Sequence, residues 1–376
     1  MDSAFEPELP FSKGLTMYSS SLSSFDLSAL GWDDSFAALF AAHAVDGLVP
    51  ARIVRVDRGR CDTLTASGPV RAVSTAVTSL DPAHAVCTGD WAALRMEPEP
   101  ELVALLPRRS AITRASADRT SHQQVLAANV DTVAIAVSLA VPLNAGRVER
   151  LLALAWDSGA QPVVVLTKAD RTNEPDAALL ALTSLAPGVD IVTTSATTGT
   201  GLALLSEAVT GTTVLLGPSG AGKSTLANAL LGREHMGTNA VRAGDGKGRH
   251  TTVHRELLPL PGGGVLIDTP GLRGIGLQDA TDGVERVFAE IEAYARDCAF
   301  GDCEHRSEPS CAVQEAVVAG MLDVDRLDRY RKLLRESERA AARGSARESS
   351  KRTRTKKAIT RDLRATYRFR DRQRER

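Results

Sequence analysis

The order of three short motifs constrains the fold of this chain more than any other feature. Thr167-Lys-Ala-Asp170 comes about fifty residues before the glycine-rich segment Gly217-Pro-Ser-Gly-Ala-Gly-Lys-Ser224, and Asp268-Thr-Pro-Gly271 follows both. The glycine-rich segment has the spacing of a phosphate-binding loop, which in ordinary GTPases precedes the guanine-reading tetrapeptide. The reversed order predicts that one nucleotide pocket is built from a circularly permuted chain.

The glycine-rich segment has the residue types that phosphate binding requires. Glycines let backbone N–H groups turn toward phosphates, a lysine neutralises their charge, and a hydroxyl group ligates magnesium. The apolar run at 212–216 predicts a strand before the segment, and residues 225–231 predict a helix whose N-terminus attracts anions. A glycine-rich turn with a surface lysine is the alternative, and this loop alone does not distinguish ATP from GTP. The predicted phosphate-binding residues are Gly217, Pro218, Ser219, Gly220, Ala221, Gly222, Lys223, Ser224 and Thr225, with Ser224 also a magnesium ligand.

The motif at 167–170 predicts a preference for guanine. A carboxylate at Asp170 accepts hydrogen bonds from both the N1–H and the 2-amino group of guanine, a pattern that adenine does not offer. Thr167 and Lys168 belong to the same loop, and the stem of Lys168 is expected to pack on the base. A second strand, at 190–194, leads into Ser195 and Ala196, which are typical of a second base-contacting loop. The alternative for a four-residue motif is a solvated turn.

The motif at 268–271 follows an apolar run at 264–267, so its acidic residue is predicted at the end of a strand. There Asp268 is expected to hold magnesium through water, and Gly271 to offer its N–H to the γ-phosphate. The polar, glycine-rich segment 244–252 is typical of a loop that becomes ordered around the γ-phosphate and the metal. Thr251 or Thr252 is its expected second hydroxyl ligand for magnesium.

Leu272 stands where signalling GTPases of the Ras type carry a water-orienting glutamine, and a leucine side chain cannot position water. His250 is the candidate for that role, because it is the side chain of segment 244–252 that can accept a proton near neutral pH. The alternative is a surface imidazole that takes no part in catalysis.

A cluster of thiols and one imidazole lies between residues 298 and 311. Three cysteines and one histidine within fourteen residues can close a tetrahedral zinc site, which leaves no open position for water and is therefore structural. Disulfide bonding is a poorer explanation, because the other two of the five cysteines are isolated and the sequence has no secretory signal. A chance cluster of buried thiols is the remaining alternative. The predicted ligands are Cys298, Cys303, His305 and Cys311.

Together these motifs resemble the RsgA family of circularly permuted GTPases, also called YjeQ or EngC. The resemblance includes Gly248-Arg-His-Thr-Thr252 and the segments 106–109 and 123–131, and it covers roughly residues 47 to 335. It implies an oligonucleotide/oligosaccharide-binding (OB) barrel before the GTPase domain and a zinc-binding helical domain after it. It also implies late maturation of the small (30S) ribosomal subunit, with rRNA binding, GTP hydrolysis that the subunit stimulates, and release of the protein upon hydrolysis.

We therefore predict an α/β P-loop GTPase fold in five parts. Five short, turn-separated runs between residues 51 and 105 favour a small barrel, in which Trp91 is the only aromatic residue and is expected in the core rather than on a base-stacking surface. The predicted parts are a partly disordered extension at 1–46 with a short helix at 34–43, the barrel at 47–112, the GTPase domain at 113–282, the zinc-binding helical domain at 283–338, and a basic tail at 339–376.

The net charge of −1 conceals a strong division of charge along the chain. Residues 339–376 contain 15 Lys or Arg and 4 Asp or Glu, a net +11, whereas the remainder contains 30 basic and 42 acidic residues, a net −12. A basic tail with few apolar residues is typical of flexible contacts to RNA phosphates, which weaken steeply with salt. The alternatives are a solvated, solubilising tail and a helix that exposes charge on every face.

The sequence predicts a cytoplasmic protein, because it has neither a signal peptide nor a run of some twenty apolar residues. We expect a monomer that binds GTP or GDP with magnesium, one structural zinc ion, and the small ribosomal subunit with its rRNA. Two other functions remain open at this point: a nucleotide-gated RNA-binding switch or chaperone with negligible turnover, and, more remotely, an ATP-dependent kinase.

Overall fold

The structure is a computed structural model that describes residues 26–44, 47–79, 81–115, 123–235, 255–268 and 280–342. These residues divide into two compact units. The first unit contains the described residues up to 268 together with 282–289, and the second contains residues 280–281 and those from 290 onward.

A closed five-stranded barrel forms the first part of the first unit. Its strands are β1 (Val49–Val56), β2 (Arg60–Thr65), β3 (Gly68–Val73), β4 (Trp91–Arg95) and β5 (Glu101–Leu105), arranged in the order β1-β2-β3-β5-β4. Alternate side chains fill its interior, among them Ile53, Leu94 and Leu102, because successive residues of a strand point to opposite faces. All five predicted runs are strands of this barrel, and the prediction that Trp91 is buried is confirmed.

A six-stranded sheet follows, joined to the barrel by a two-stranded ribbon of β6 (Ala111–Ala115) and β7 (Gln123–Ala128). The sheet order is β10-β9-β8-β11-β13-β12, and every neighbouring pair is parallel except β12 with β13. Its strands are rich in Val, Ile and Leu and mostly buried, the pattern of a sheet covered on both faces. They are β8 (Thr132–Ser138), β9 (Gln161–Thr167), β10 (Asp190–Thr193), β11 (Thr212–Leu216), β12 (Glu256–Pro259) and β13 (Val265–Asp268).

Helices alternate with these strands as expected for a doubly wound fold. Counting from the N-terminus, α1 is Asp34–Phe40, and the helices between the sheet strands are α2 (Ala145–Asp157), α3 (Pro175–Leu185), α4 (Leu202–Ala208) and α5 (Lys223–Leu231). A further helix, α6 (Thr281–Val287), packs on α2, where the guanidinium of Arg286 lies 3.5 Å from the ring centre of Trp156. The predicted α/β class is thus confirmed.

The segment before the barrel packs on it through aromatic rings, a contact that the sequence did not predict. Asp33 caps α1 by accepting a hydrogen bond from the backbone N–H of Phe36, and Phe36 is fully buried. Trp32 places its ring centre 4.8 Å from that of Trp91 in an edge-to-face arrangement. These contacts bury aromatic surface and therefore fix residues 26–44 against the barrel.

A buried guanidinium connects the barrel to the central strand of the sheet. Arg52, on β1, donates from Nη2 to Thr212 Oγ1 at 2.8 Å, and its guanidinium lies 5.0 Å from the ring centre of Trp91. Loss of hydration lowers the pKa of Arg52 to about 10, although Asp131 and Asp90 favour its charge. Thr212 begins β11, the strand that leads into the glycine-rich segment, so this contact ties the barrel to that strand.

The second unit is helical. It contains α7 (Ala289–Ala295) from its second residue onward, α8 (Ala312–Val318) and a last helix, α9, over residues 324–342, with the cysteine-rich segment between α7 and α8. Arg326 on α9 donates to Glu290 at 2.7 Å, and Tyr330 donates to Glu292 at 2.6 Å, so α9 and α7 are joined by charged hydrogen bonds. No helix in the described ranges has the length and apolar content needed to span a membrane.

Candidate nucleotide and metal sites

The predicted nucleotide-binding segments meet at one edge of the six-stranded sheet. Residues 167–170 follow β9, Ser195 and Ala196 follow β10, the glycine-rich segment 217–224 follows β11, and Asp268 ends β13. Because β9, β10, β11 and β13 run parallel, their carboxyl ends lie at the same edge, where open α/β sheets bind ligands. Four segments that are far apart in the sequence therefore share one edge.

The glycine-rich segment adopts a conformation that requires its glycines. The φ angles of Gly217, Gly220 and Gly222 are 142°, 79° and 90°, a region that side chains disfavour. A Cβ on Gly217 would lie 2.6 Å from the carbonyl oxygen of Ala136, so this position has no room for a side chain. The backbone of Gly217 therefore approaches β8 closely. Pro218 and Ser219 continue the turn, Lys223 begins α5, and Ser224 and Thr225 follow in its first turn.

Lys223 lies over the loop that it is predicted to serve. Its Nζ donates to the carbonyl oxygens of Gly217 and Pro218, both at 2.8 Å. The ammonium is thereby held at the N-terminal end of α5, where the partial positive charge of the helix favours anions. A lysine in this place adds a full positive charge to the loop N–H groups, which is the combination that binds phosphate.

Two hydrogen bonds join the 167–170 segment to the glycine-rich segment. Thr167 Oγ1 donates to the carbonyl oxygen of Ala221 at 2.7 Å, and Lys168 Nζ donates to that of Gly220 at 2.7 Å. Thr167 and Ala221 are both buried, so the first bond is shielded from water. Lys168 has a φ of 60°, a left-handed conformation that turns the chain toward the loop. These hydrogen bonds hold the two segments together.

The carboxylate of Asp170 is held by the loop after β10. Ser195 Oγ donates to Asp170 Oδ1 at 2.7 Å, and Arg171 Nε lies 3.6 Å from Oδ2. Ser195 is buried, and Ala196 follows it at the start of the turn. The Asp170 side chain remains 25% exposed, so it retains acceptor capacity for a ligand.

Asp268 faces a second carboxylate across the sheet. It pairs with Glu256 in the antiparallel register of β12 and β13, and the imidazole Nε2 of His235 lies 3.8 Å from Glu256. Loss of hydration, and secondly the charge of Glu256, raises the pKa of Asp268 to about 6. At neutral pH the carboxylate is still mainly ionised, and a cation nearby would relieve both effects.

Four of the predicted residues lie outside the described residues: the candidate catalytic His250, the magnesium candidates Thr251 and Thr252, and Gly271. Their roles remain predictions from the sequence.

Cys298, Cys303, His305 and Cys311 come together in the second unit, with their ligand atoms all within 4.8 Å of one another. Cys298 Sγ is 3.8 Å from Cys311 Sγ, and His305 Nδ1 is 3.6 Å from the first sulfur and 3.5 Å from the second. A zinc ion about 2.3 Å from sulfur and about 2.05 Å from nitrogen, with tetrahedral angles, gives edges of about 3.8 Å and about 3.6 Å. The separations among Cys298, His305 and Cys311 match these edges, and the distance between the two sulfurs excludes a disulfide bond between Cys298 and Cys311.

The surroundings of His305 hold it in place as a ligand. Its backbone has a φ of 59°, and its carbonyl oxygen accepts hydrogen bonds from Gln314 Nε2 and from Arg331 Nη2. Burial, and secondly the charge of Arg331, lowers the pKa of His305 and so favours the neutral imidazole that metals bind. The cluster can therefore hold a metal ion such as zinc, and α8 and α9 support it.

The comparisons with known proteins agree with this geometry. The profile of the RsgA GTPase family matches residues 105–278. The small ribosomal subunit biogenesis GTPase RsgA of Streptomyces coelicolor is 56% identical over 328 residues, which cover 85% of this chain and 89% of that protein. This chain belongs to the RsgA GTPase family. The RsgA of Streptomyces avermitilis is 55% identical over 334 residues, covering 87% of this chain and 90% of its own.

Solved structures support the permuted fold of this RsgA-family protein. YjeQ from Thermotoga maritima aligns with a TM-score of 0.57 and 25% identity, over 77% of this chain and 98% of that one. YloQ, described as a circularly permuted GTPase, aligns with a TM-score of 0.58 and 22% identity, over 79% of this chain and 97% of its own. The predicted family and the predicted fold, with its barrel and its Cys3His cluster, are confirmed.

Sequence reasoning missed the residues that support the sites. Arg331 contacts the carbonyl of His305 from 26 residues away, and Arg52 contacts Thr212 from 160 residues away. No local pattern marks either arginine. The signal is a guanidinium that is buried in Arg52 and half-buried in Arg331, which is visible only once the fold is known.

Proposed function

We propose that this RsgA-family protein hydrolyses GTP to GDP and phosphate as a late maturation factor of the small (30S) ribosomal subunit. The observation that carries the proposal is the pair of hydrogen bonds joining the 167–170 segment to the glycine-rich segment, because they make one pocket of two separate motifs. The names of the close relatives, which describe small ribosomal subunit biogenesis GTPases, support the choice of partner.

In this proposal Asp170 selects guanine. Ser195 donates a hydrogen bond to one carboxylate oxygen of Asp170, and the lone pairs that remain accept the N1–H and 2-amino hydrogens of the base. Lys168 packs its stem on the ring, while Thr167, Ser195 and Ala196 shape the pocket. Adenine lacks this donor pattern, so GTP and GDP are preferred over ATP and ADP.

Lys223 and the backbone N–H groups of the segment 217–225, to which Pro218 contributes none, bind the phosphates, and Ser224 supplies a hydroxyl to magnesium. Asp268 holds the metal through water, which suits a carboxylate at a strand end beside the loop. Thr251 or Thr252 completes the hydroxyl ligands, and Gly271 contacts the γ-phosphate. Magnesium supplies charge neutralisation in the transition state when it is bound with GTP.

His250 is the proposed residue that orients the attacking water, because Leu272 cannot do so. Without a preformed glutamine, hydrolysis by the free protein is expected to be slow, and the small subunit is expected to accelerate it. Hydrolysis then releases the protein, whereas the GTP form binds. The alternative function is a nucleotide-gated RNA-binding switch with negligible turnover. It differs from this proposal because the small subunit would not accelerate GTP hydrolysis.

The cluster of Cys298, Cys303, His305 and Cys311 is proposed to hold one structural zinc ion, which has no role in the reaction. Four protein ligands leave no position for a substrate. We propose five parts with the boundaries given above, in which the barrel and the basic tail contact rRNA. We also propose a monomeric state and a location in the cytoplasm.

Co-sedimentation with purified ribosomal subunits tests the proposal. The protein is mixed with small or large subunits in the presence of a non-hydrolysable GTP analogue, GDP or an ATP analogue. We expect it to pellet with small subunits only with the GTP analogue. Equal pelleting with both subunits, or in all nucleotide states, contradicts the proposed partner or the proposed cycle.

A further inference from the structure

Arg52 is a charged side chain at a position where a charge is costly. It lies on β1 of the barrel, and only 1% of its surface is exposed. Its Nε has no hydrogen-bond partner among the residues that the structure describes. Burial of a guanidinium with an unmatched donor costs free energy, and apolar side chains of similar volume often fill such a place without that cost. Stability alone therefore does not explain an arginine at this position.

Three hydrogen bonds hold the first residue of β11. The hydroxyl oxygen of Thr212 accepts a bond from Arg52 Nη2 at 2.8 Å. The backbone N–H of Thr212 donates to Asp131 Oδ2 at 2.7 Å, and its carbonyl oxygen accepts from the N–H of Asp131 at 2.8 Å. Thr212 is fully buried, so water does not compete for these bonds. The two bonds to Asp131 come from the residue before β8, whereas the bond to Arg52 comes from the barrel.

The far end of β11 leads directly into the glycine-rich segment. All five residues of β11 are buried, and at about 3.3 Å per residue the strand spans about 16 Å. It pairs with β8 on one side and β13 on the other, so it does not bend or stretch easily. Gly217 follows it and lies so close to β8 that a Cβ would be 2.6 Å from the carbonyl oxygen of Ala136. A displacement of Thr212 along the strand therefore shifts Gly217.

The Arg52 side chain is also anchored within the barrel. Its backbone pairs with Leu64 of β2 and with Trp91 of β4. Its guanidinium lies 5.0 Å from the ring centre of Trp91. Trp91 is itself fully buried, and Trp32 of the segment 26–44 packs on it. A displacement of the barrel strands therefore carries the guanidinium with it.

We propose that Arg52 is a positioning residue for the glycine-rich segment and couples the barrel to that segment through Thr212 and β11. A hydrogen bond is directional and fixes Thr212 along the strand, whereas apolar contacts are not directional. Arg52 acts through Thr212 and not by contact with the nucleotide. The consequence for hydrolysis rests on the proposed function: a small subunit bound at the barrel acts on the phosphate-binding residues through this link.

The test uses the full-length protein and variants that remove the link from either side. Arg52→Met keeps the length of the side chain and removes the donor, and Thr212→Val keeps the shape and removes the acceptor. A double variant lacks both groups. Arg71→Met is the matched control, because Arg71 is a barrel arginine that binds the barrel carboxylates of Asp57 and Asp62. Melting temperatures identify any variant that fails to fold. If Arg52→Met does not fold, Thr212→Val carries the test.

Hydrogen exchange of the barrel amides, with and without GDP, measures the link in the protein alone. Coupling between two sites is reciprocal, so a nucleotide that fixes the glycine-rich segment also slows exchange in β1. We expect GDP to slow this exchange by about fivefold or more in the wild type and in Arg71→Met. In Arg52→Met and Thr212→Val, GDP should have little effect on β1. Exchange in β1 that GDP does not slow in the wild type, or slows equally in Arg52→Met, overturns the inference.

GTP hydrolysis with added small subunits measures the consequence for the reaction. At saturating subunits the rate should fall by about 5- to 150-fold in Arg52→Met. The subunit concentration for half-maximal acceleration should stay the same, because the change is buried beneath the barrel surface. The double variant should lose no more than Arg52→Met, because both changes remove the same hydrogen bond. Additive losses, or an equal loss in Arg71→Met, indicate general damage to the barrel and overturn the inference.

The two measurements separate this inference from the proposed function. If small subunits do not accelerate hydrolysis by the wild type, the proposed function is contradicted, and hydrogen exchange alone decides the inference. If they accelerate the wild type and Arg52→Met equally, the proposed function stands and the inference is wrong.

Discussion

Replacing Thr167 with valine removes the hydroxyl group that links the 167–170 segment to the glycine-rich segment. The valine side chain has nearly the same shape, so the main loss is the 2.7 Å hydrogen bond to the carbonyl oxygen of Ala221. Ala221 is only 1% exposed, and water cannot readily replace the lost donor. An unpaired buried carbonyl costs about 1–3 kcal/mol. We expect the free energy of unfolding of the first unit to fall by that amount.

Thr213→Val is the matched control, because it makes the same chemical change in the same sheet. Thr213 is fully buried on β11, and its Oγ1 has no hydrogen-bond partner within the described ranges. Removing an unsatisfied hydroxyl relieves a desolvation cost instead of creating one. We therefore expect Thr213→Val to leave stability unchanged or to raise it by about 1 kcal/mol. The two variants should differ in sign.

Thermal unfolding of both variants and of Thr167→Ser, with and without GDP, measures the difference. For a unit of this size, about 1 kcal/mol shifts the melting temperature by about 2–4 °C, so Thr167→Val should melt about 2–12 °C below the wild type. Thr167→Ser restores the hydroxyl and most of the stability. GDP affinity should fall in Thr167→Val and not in Thr213→Val, because only Thr167 contacts the loop. Equal melting temperatures for the two valine variants would refute the reasoning.

Three other perturbations have defined outcomes. Asp170→Asn replaces a carboxylate acceptor by an amide, so GTP affinity should fall at least about tenfold, while xanthosine triphosphate, with its 2-oxo group, gains affinity. An unchanged preference for GTP in competition binding contradicts the assignment. Gly217→Ala places a Cβ 2.6 Å from the carbonyl oxygen of Ala136 and should lower the free energy of unfolding by about 1–3 kcal/mol. Gly301→Ala should not lower it, because the new Cβ meets no neighbouring atom within 4 Å. Denaturant titration compares the two variants. Cys303→Ala should lower bound zinc from about one ion per chain to near none and destabilise the second unit. Cys61→Ala, which removes a barrel cysteine, should retain the metal. Elemental analysis that finds zinc in Cys303→Ala would count against the ligand set.

Local pattern was sufficient to predict the strands of both β structures. The run at 212–216 is β11 with the same bounds, and the run at 101–105 is β5, because apolar β-branched stretches between turn residues specify strands without help from distant contacts. The four metal-binding candidates could also be predicted from the sequence, since they lie within fourteen residues and their chemistry depends on spacing alone.

The features that the sequence did not predict all depend on contacts between distant segments. The β6–β7 ribbon, the packing of Trp32 on Trp91, and the buried Arg52 connect parts of the chain that no periodicity relates. The capture of the His305 carbonyl by Arg331 is of the same kind. Such contacts are set by tertiary packing, which a single sequence does not encode in any local window.

The central claim is that this protein is a GTPase whose partner is the small ribosomal subunit. Phosphate release from GTP and from ATP by the purified protein, alone and with added small or large subunits at fixed low salt, tests it most directly. The account predicts slow release from GTP by the protein alone, strong acceleration by small subunits only, and little release from ATP. Hydrolysis that neither subunit accelerates, or that proceeds equally with ATP, would contradict it.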